Sequence, residues 1–459
     1  MKQIGTNVIS RKRSLRRLSA YAGAALGALV LVVAALTFGF RDAILNGYAR
    51  GKAERAFAKA YPGAVLRFGE LDYSMSANRL VAQSVTLIAA NSTLKTGRIS
   101  LTSACWARVL WGTAAWPEVL AQASLEATNL VMEFPQALYG LRCARLRASV
   151  PDSELIAEGT ELRTLVGDED FFTASAFRKT RFHVVAPECR VLGLAYGALF
   201  RGASYRASSV HFSQPSFDAL VNRDKPVPPF ATSPLMVHEA LAGIRQPMRL
   251  DRLSITNGHL TYRERVLAGA DPGALTFGAV GIFVAGIANR GETSSVIQVQ
   301  AQGDFMNASV LKVLMTIPVN SPDFSMHYSG SLGAMDLPSL NAFLDITEHI
   351  RIKSGRAQEA TFAINVTAGQ AHGSVRAIYQ DLVVAVLDSQ TGKDVGLGNC
   401  IASFLANAFK IRNASTPDAS GALREGVVNY TRKPDEEFLE FAWSALRTGV
   451  LNVISLGGK

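Results

Sequence analysis

Between Leu250 and Leu387 apolar and polar residues alternate strictly over several short runs. Ile297, Val299 and Ala301 interleave with Gln298, Gln300 and Gln302. Phe324, Met326, Tyr328 and Leu332 interleave with Ser325, His327, Ser329 and Ser331, and Phe362, Ile364, Val366 and Ala368 with Thr361, Asn365 and Thr367. Val375, Ala377 and Tyr379 extend the pattern onto a next strand. A period of two gives each strand one apolar and one wetted face. Such a sheet hides its apolar side against a second layer, by curling on itself, or against a ligand. The pattern predicts a mainly β protein.

Other stretches carry a different pattern. Residues 18–40 hold no charge, and as a helix they span about 34 Å, enough for a hydrocarbon core of roughly 30 Å. We read them as a transmembrane helix rather than a signal peptide, because the apolar run is too long for an h-region and no small-x-small site follows it. Arg11, Lys12, Arg13, Arg16 and Arg17 precede it, with no acid in the first forty residues. That places the amino terminus in the cytoplasm and the rest of the chain on the other side.

A helix over 41–62 stops at Pro62-Gly63. Shorter strand-like runs fill 63–221, with three of the four tryptophans clustered between Trp106 and Trp116. A proline-rich connector over 222–240 is the best domain boundary, and 241–434 holds the regular strands, with a helical stretch at Ala402–Phe409. Ser124-Leu125-Glu126-Ala127-Thr128-Asn129 echoes Arg252-Leu253-Ser254-Ile255-Thr256-Asn257, each read as a strand, a small turn and a return strand. A final helix over 435–459 places Leu439, Trp443, Leu446, Val450 and Val453 on one stripe, for docking on its own sheet or contact with a membrane or partner protein.

Composition narrows the function classes. The net charge of +10 suggests nucleic acid until it is divided: six positive charges precede the membrane span, and no basic stripe with aromatics follows, so no nucleic-acid partner is expected. The acids between Pro151 and Asp170 read as a solvated face. Cys105, Cys143, Cys189 and Cys400 lie far apart without metal or redox spacing, and Cys143 with Cys189 is the pair to test for a disulfide, buried free thiols being the alternative. Seven scattered histidines make no metal motif, and no GxSxG, P-loop or Rossmann pattern stands in a fitting context. The chain therefore reads as a non-enzyme without cofactor, although a carboxylate pair from distant strands escapes any motif search.

The second half resembles the AsmA-like proteins, relatives of the bridge-like lipid-transfer family. The likeness rests on Leu250–Arg263 (LDRLSITNGHLTYR), Gly330–Leu344 (GSLGAMDLPSLNAFL), Gly373–Val384 (GSVRAIYQDLVV) and the closing stretch Gly426–Val453. It implies an inner-membrane anchor in a Gram-negative-type bacterium, a periplasmic bulk, and an elongated, curved antiparallel sheet forming an open apolar groove for phospholipid acyl chains. It also implies a link to outer-membrane integrity and protein assembly, hence a possible outer-membrane or envelope protein partner. The candidate lining residues are Ile297, Val299, Phe324, Met326, Tyr328, Leu332, Phe362, Ile364, Val366, Val375, Ala377 and Tyr379. Some twenty strands about 4.8 Å apart give a trough on the order of 100 Å, a partial bridge. The competing readings are a filled β-sandwich acting as envelope scaffold or assembly factor, and a hydrolase with carboxylates converging in one pocket.

Overall fold

The computed structural model describes residues 50–74, 77–105, 116–228, 233–290, 296–319, 321–388 and 411–455. The basic residues Arg11, Lys12, Arg13, Arg16 and Arg17, the expected membrane span, the tryptophans at 106 and 111, the 402–409 stretch and Cys400 lie outside them. No helix among the described residues is long and apolar enough to cross a membrane. The protein is mainly β, as the alternation predicts. It divides into two compact units, residues 1–165 with 186–208, and 166–185 with 209–459. Strands β8 (Thr180–Leu192) and β9 (Tyr205–Ser213) contribute residues to both. The division thus falls upstream of the proline-rich run. That run is tied into the second unit, where Arg432 donates to Ser233 Oγ (3.1 Å) and to the Pro234 carbonyl (2.9 Å).

In the first unit, helix α1 (Arg50–Ala60) rests on β1 (Val65–Arg67), with Phe57 fully buried. Strands β1 and β2 (Glu70–Ser74) both pair with β3 (Arg79–Ala89). An antiparallel meander follows through β4 (Ser92–Thr102), β5 (Ser124–Phe134), β6 (Tyr139–Ser149) and β7 (Glu154–Thr164). The core gathers at the α1 end, where Leu66, Leu71, Leu80 and Leu101 pack with Phe57 and Leu120. Two short helices, α2 (Trp116–Val119) and α4 (Tyr196–Phe200), also belong to this unit.

Strands β3, β5 and β7 of this meander each carry one left-handed residue near the middle. Ser84, Asn129 and Gly159 have positive φ (51, 54 and 61), and the ladder skips a pair at each of them. The ladders keep one register on either side, but the exposure pattern changes phase there: on β6 Arg142, Ala144, Arg145 and Arg147 are exposed while Leu141, Cys143, Leu146 and Ala148 are half-buried, so the leucines on either side of the skipped pair share a face. Asn257, also at positive φ (52), lies at a register shift in β11 (Met248–Arg265). The two echoing hexapeptides therefore each end on a left-handed asparagine within a continuous strand. The expected turn and return strand do not form, because one left-handed asparagine kinks a strand without reversing it.

In the second unit, β8 residues Thr180–Val185 pair antiparallel with β10 (Ser216–Asn222), and β10 runs parallel to β11. From β11 an antiparallel meander continues through β12 (Gly273–Ala288), β13 (Val296–Phe305), β14 (Ser309–Pro318), β15 (Met326–Leu332), β17 (Ile350–Thr367), β18 (Gln370–Val386) and β19 (Glu425–Thr431). The two-residue β16 (Met335–Asp336) flanks β17. Helix α6 (Asn341–Thr347) packs on β11, β12 and β17, so this sheet curls around it. Helix α5 (Val237–Ala242) joins the same core through Val237 and Leu241, and helix α7 (Phe438–Ile454) lies on β18 and β19.

The acidic run is more than a solvated face. Helix α3 (Asp168–Thr173) carries Asp168 and Glu169, which pair with the buried Arg181 and Arg265. Asp218 on β10 joins Arg181 (2.5 Å) and Arg263 (2.9 and 2.5 Å). Burial alone would raise the Asp218 carboxyl, but the hydrogen bonds from Arg263 and Arg181, with their charges, hold it below the usual carboxylate range.

Candidate apolar groove

One hydrogen-bonded row crosses eight strands of the second unit: Leu253, Val284, Val299, Met315, Tyr328, Ile364, Gly373 and Val428 are successive cross-strand partners. Cross-strand partners share a face, so the row is one continuous apolar stripe. Its exposure falls along its length. Leu253, Val284, Val299 and Met315 are half-buried, whereas Tyr328, Ile364 and Val428 are sealed. Burial pushes the Tyr328 hydroxyl well above the usual phenol range, and that hydroxyl donates to the Ala442 carbonyl of α7 (2.9 Å).

All twelve lining candidates fall on this face. Ile297, Phe324, Met326, Tyr328, Ile364, Val366, Val375 and Tyr379 are buried, and Val299, Leu332, Phe362 and Ala377 pack against them. The alternation assigns their side of the sheet, yet they build the protein's own core. The expected open trough is filled here, because α5 and α7 fold back across the strands.

Helix α7 is also turned from the expected stripe. Its buried line is Phe441, Ala445, Gly449 and Val453, while Leu439 is 72% and Trp443 52% exposed. Leu446 and Val450 flank the buried line and pack on the core. Small residues decide the phase, since Ala445 and Gly449 let the helix backbone approach the sheet where leucine or tryptophan would hold it away.

The face is open elsewhere. Phe182 (37% exposed) and Phe217 (36%) lie with ring centroids 5.7 Å apart at one margin of the second unit. Phe217, Leu260, Phe277 and Phe305 are again successive partners, leading from this margin toward the core. In the first unit, Leu130, Met132, Leu141, Leu146, Leu155 and Leu162 are half-buried on one face of β5 to β7. Among the described residues no helix makes an extensive contact with these three strands. Their other face is a charged lattice in which Arg145 meets Glu126 (3.4 Å) and Glu158 (3.6 Å), and Arg147 meets Glu158. Period-two reading missed these residues because Asn129 and Gly159 interrupt it.

The remaining chemistry is sparse. Cys105, Cys143 and Cys189 are free thiols; Cys143 donates to the Arg145 carbonyl (3.2 Å), and burial, then the charges of Cys143 and Glu188, hold the Cys189 thiol above its usual range. A cavity of about 300 Å³ beside β4 to β7 is lined by Glu126, Arg147, Asp152 and Glu154 together with the apolar Leu125, Ala148 and Ile156. Its carboxylates are already engaged: Glu126 by Arg145, Glu154 by Arg190 (3.8 Å), and Asp152 by the Ser149 hydroxyl (2.5 Å). No cluster of metal-ligating side chains occurs among the described residues. No protein-family model matches the chain, and no curated protein is similar to it.

Proposed function

We propose that this protein holds lipid acyl chains on the open parts of its apolar sheet faces and so assists phospholipid movement between the inner and outer membranes. In this reading residues 18–40 anchor it in the inner membrane and the sheet stands in the periplasm. The half-buried leucine rows of β5 to β7, backed by a charged lattice, carry the reading. An acyl chain in water is opposed by about 0.8 kcal/mol per methylene, roughly 12 kcal/mol for sixteen carbons. A neutral apolar face lowers that cost without chemistry, and weak contacts at many places let a tail move. Strands of 11 residues offer about 36 Å of such face.

The test is phospholipid content. Full-length protein purified in mild detergent should carry phospholipid detectable by mass spectrometry, and Leu141→Asp or Leu146→Asp should lower it at least fivefold with the circular dichroism spectrum unchanged. Wild-type protein free of lipid would overturn the reading. Ile364 and Met326 cannot serve, since aspartate there would be buried in the core.

A second reading is favoured by the filled face of β15 and β17 to β19, which suits a rigid scaffold or assembly factor for outer-membrane proteins. It expects lipid-free protein and an outer-membrane defect on deletion.

A further inference from the structure

Resting on the lipid reading above, we infer that α7 is an internal strap, occupying the continuation of the apolar face and competing there with acyl chains. The stripe that is half-buried at Leu253 and Val299 is the same stripe that is sealed at Ile364 and Val428. What changes along it is the cover. The sheet side of the contact has the same neutral character throughout, so removing α7 would uncover the stripe over β18 and β19, beside its half-buried part. The buried line that the helix presents to the strands, Phe441, Ala445, Gly449 and Val453, is apolar or small, as a hydrocarbon tail is, with Asn452 the polar exception.

Its polar ties lie at separated points. Tyr328 donates to the Ala442 carbonyl (2.9 Å), Arg447 to Glu348 Oε2 (2.9 Å), and the Val427 amide to Asn452 Oδ1 (3.2 Å). The ties at Tyr328 and Arg447 can be removed without adding volume, while the Arg412 amide still donates to the Ile454 carbonyl (2.7 Å) at the end of the helix.

The experiment uses full-length protein incubated with vesicles of phosphatidylethanolamine and phosphatidylglycerol, with two readouts: amide exchange across residues 438–454 and phospholipid bound per chain. For the double variant Tyr328→Phe/Arg447→Gln, exchange in the helix should rise about tenfold and bound phospholipid at least twofold. Gly449→Leu, which wedges the helix off Val375 and Val428, should do the same. Faster exchange with lipid at the wild-type level in both variants would overturn the strap and leave the lipid reading standing. Exchange unchanged in both would also overturn it, since the helix would then be a fixed part of the core. Absence of lipid from the wild type and both variants would defeat the lipid reading itself.

Discussion

Gly426 on β19 and Gly449 on α7 meet backbone to backbone. A β-carbon on Gly426 would sit inside the Gly449 carbonyl oxygen and 2.6 Å from Val453 Cγ2, and one on Gly449 would lie 2.5 Å from Val375 Cγ2. Neither is a left-handed glycine; both are required by proximity. The final helix therefore takes its depth and rotation from two hydrogen atoms. Gly426→Val should cost about 1 to 3 kcal/mol through overpacking. Urea denaturation should show the loss, and Val427→Thr, whose side chain faces away from the helix, should leave the midpoint within error.

The arginine and aspartate network predicts an acid dependence. Asp218 is held below the ordinary carboxylate range in the folded state, so its stabilisation is complete above its unfolded value, near 4, and is lost as pH falls through the folded one. Asp218→Asn should cost roughly 2 kcal/mol at neutral pH, because Arg181 and Arg263 each lose a charged hydrogen bond. The difference from wild type should shrink as pH falls below about 4. Equal acid profiles for the two proteins by denaturant titration would count against the network as the cause.

Asn129 and Asn257 hold equivalent left-handed positions at φ 54 and 52, and both are exposed. A β-branched residue pays for that conformation where asparagine and glycine do not. Asn129→Val should destabilise by about 1 to 2 kcal/mol and Asn129→Gly by much less. The same ordering is expected at Asn257. If valine were tolerated at both, the shared face of Leu141 and Leu146 would need another cause.

Strands β13, β14, β15 and the second half of β17 were legible because their alternation is uninterrupted. Met326 to Leu332 and Phe362 to Thr367 fall inside β15 and β17, on the face that the pattern assigns. What covers that face was not legible, since a period of two states which side is apolar and is silent about whether helix, ligand or water meets it. As a face for docking on its own sheet, the expected stripe of α7 is out of phase for a related reason. Leu439 and Trp443 outweigh Ala445 and Gly449 on any hydropathy scale, yet close packing selects the small pair. In the first unit, left-handed residues at Ser84, Asn129 and Gly159 interrupt the alternation and hide the face. The pairing of Asp168 with Arg181 and of Glu169 with Arg265 depends on strands distant in sequence, which no local pattern records.

Cys143 offers a reporter inside the proposed groove. It shares the face of Leu141 and Leu146 on β6, is half-buried, and is a free thiol. Its neighbour Ala144 is exposed and lies at the skipped ladder position opposite Gly159. With the other cysteines replaced by alanine, a maleimide should label Cys143 in delipidated protein, and loading with phospholipid should slow that reaction at least tenfold, because a tail on the leucine row would cover the sulfur. In the companion variant Cys143→Ala/Ala144→Cys, lipid should leave the rate within a factor of two. Protection at both positions would indicate general occlusion by the detergent or vesicle. Protection at neither would mean that lipid, wherever it binds, does not lie along β6.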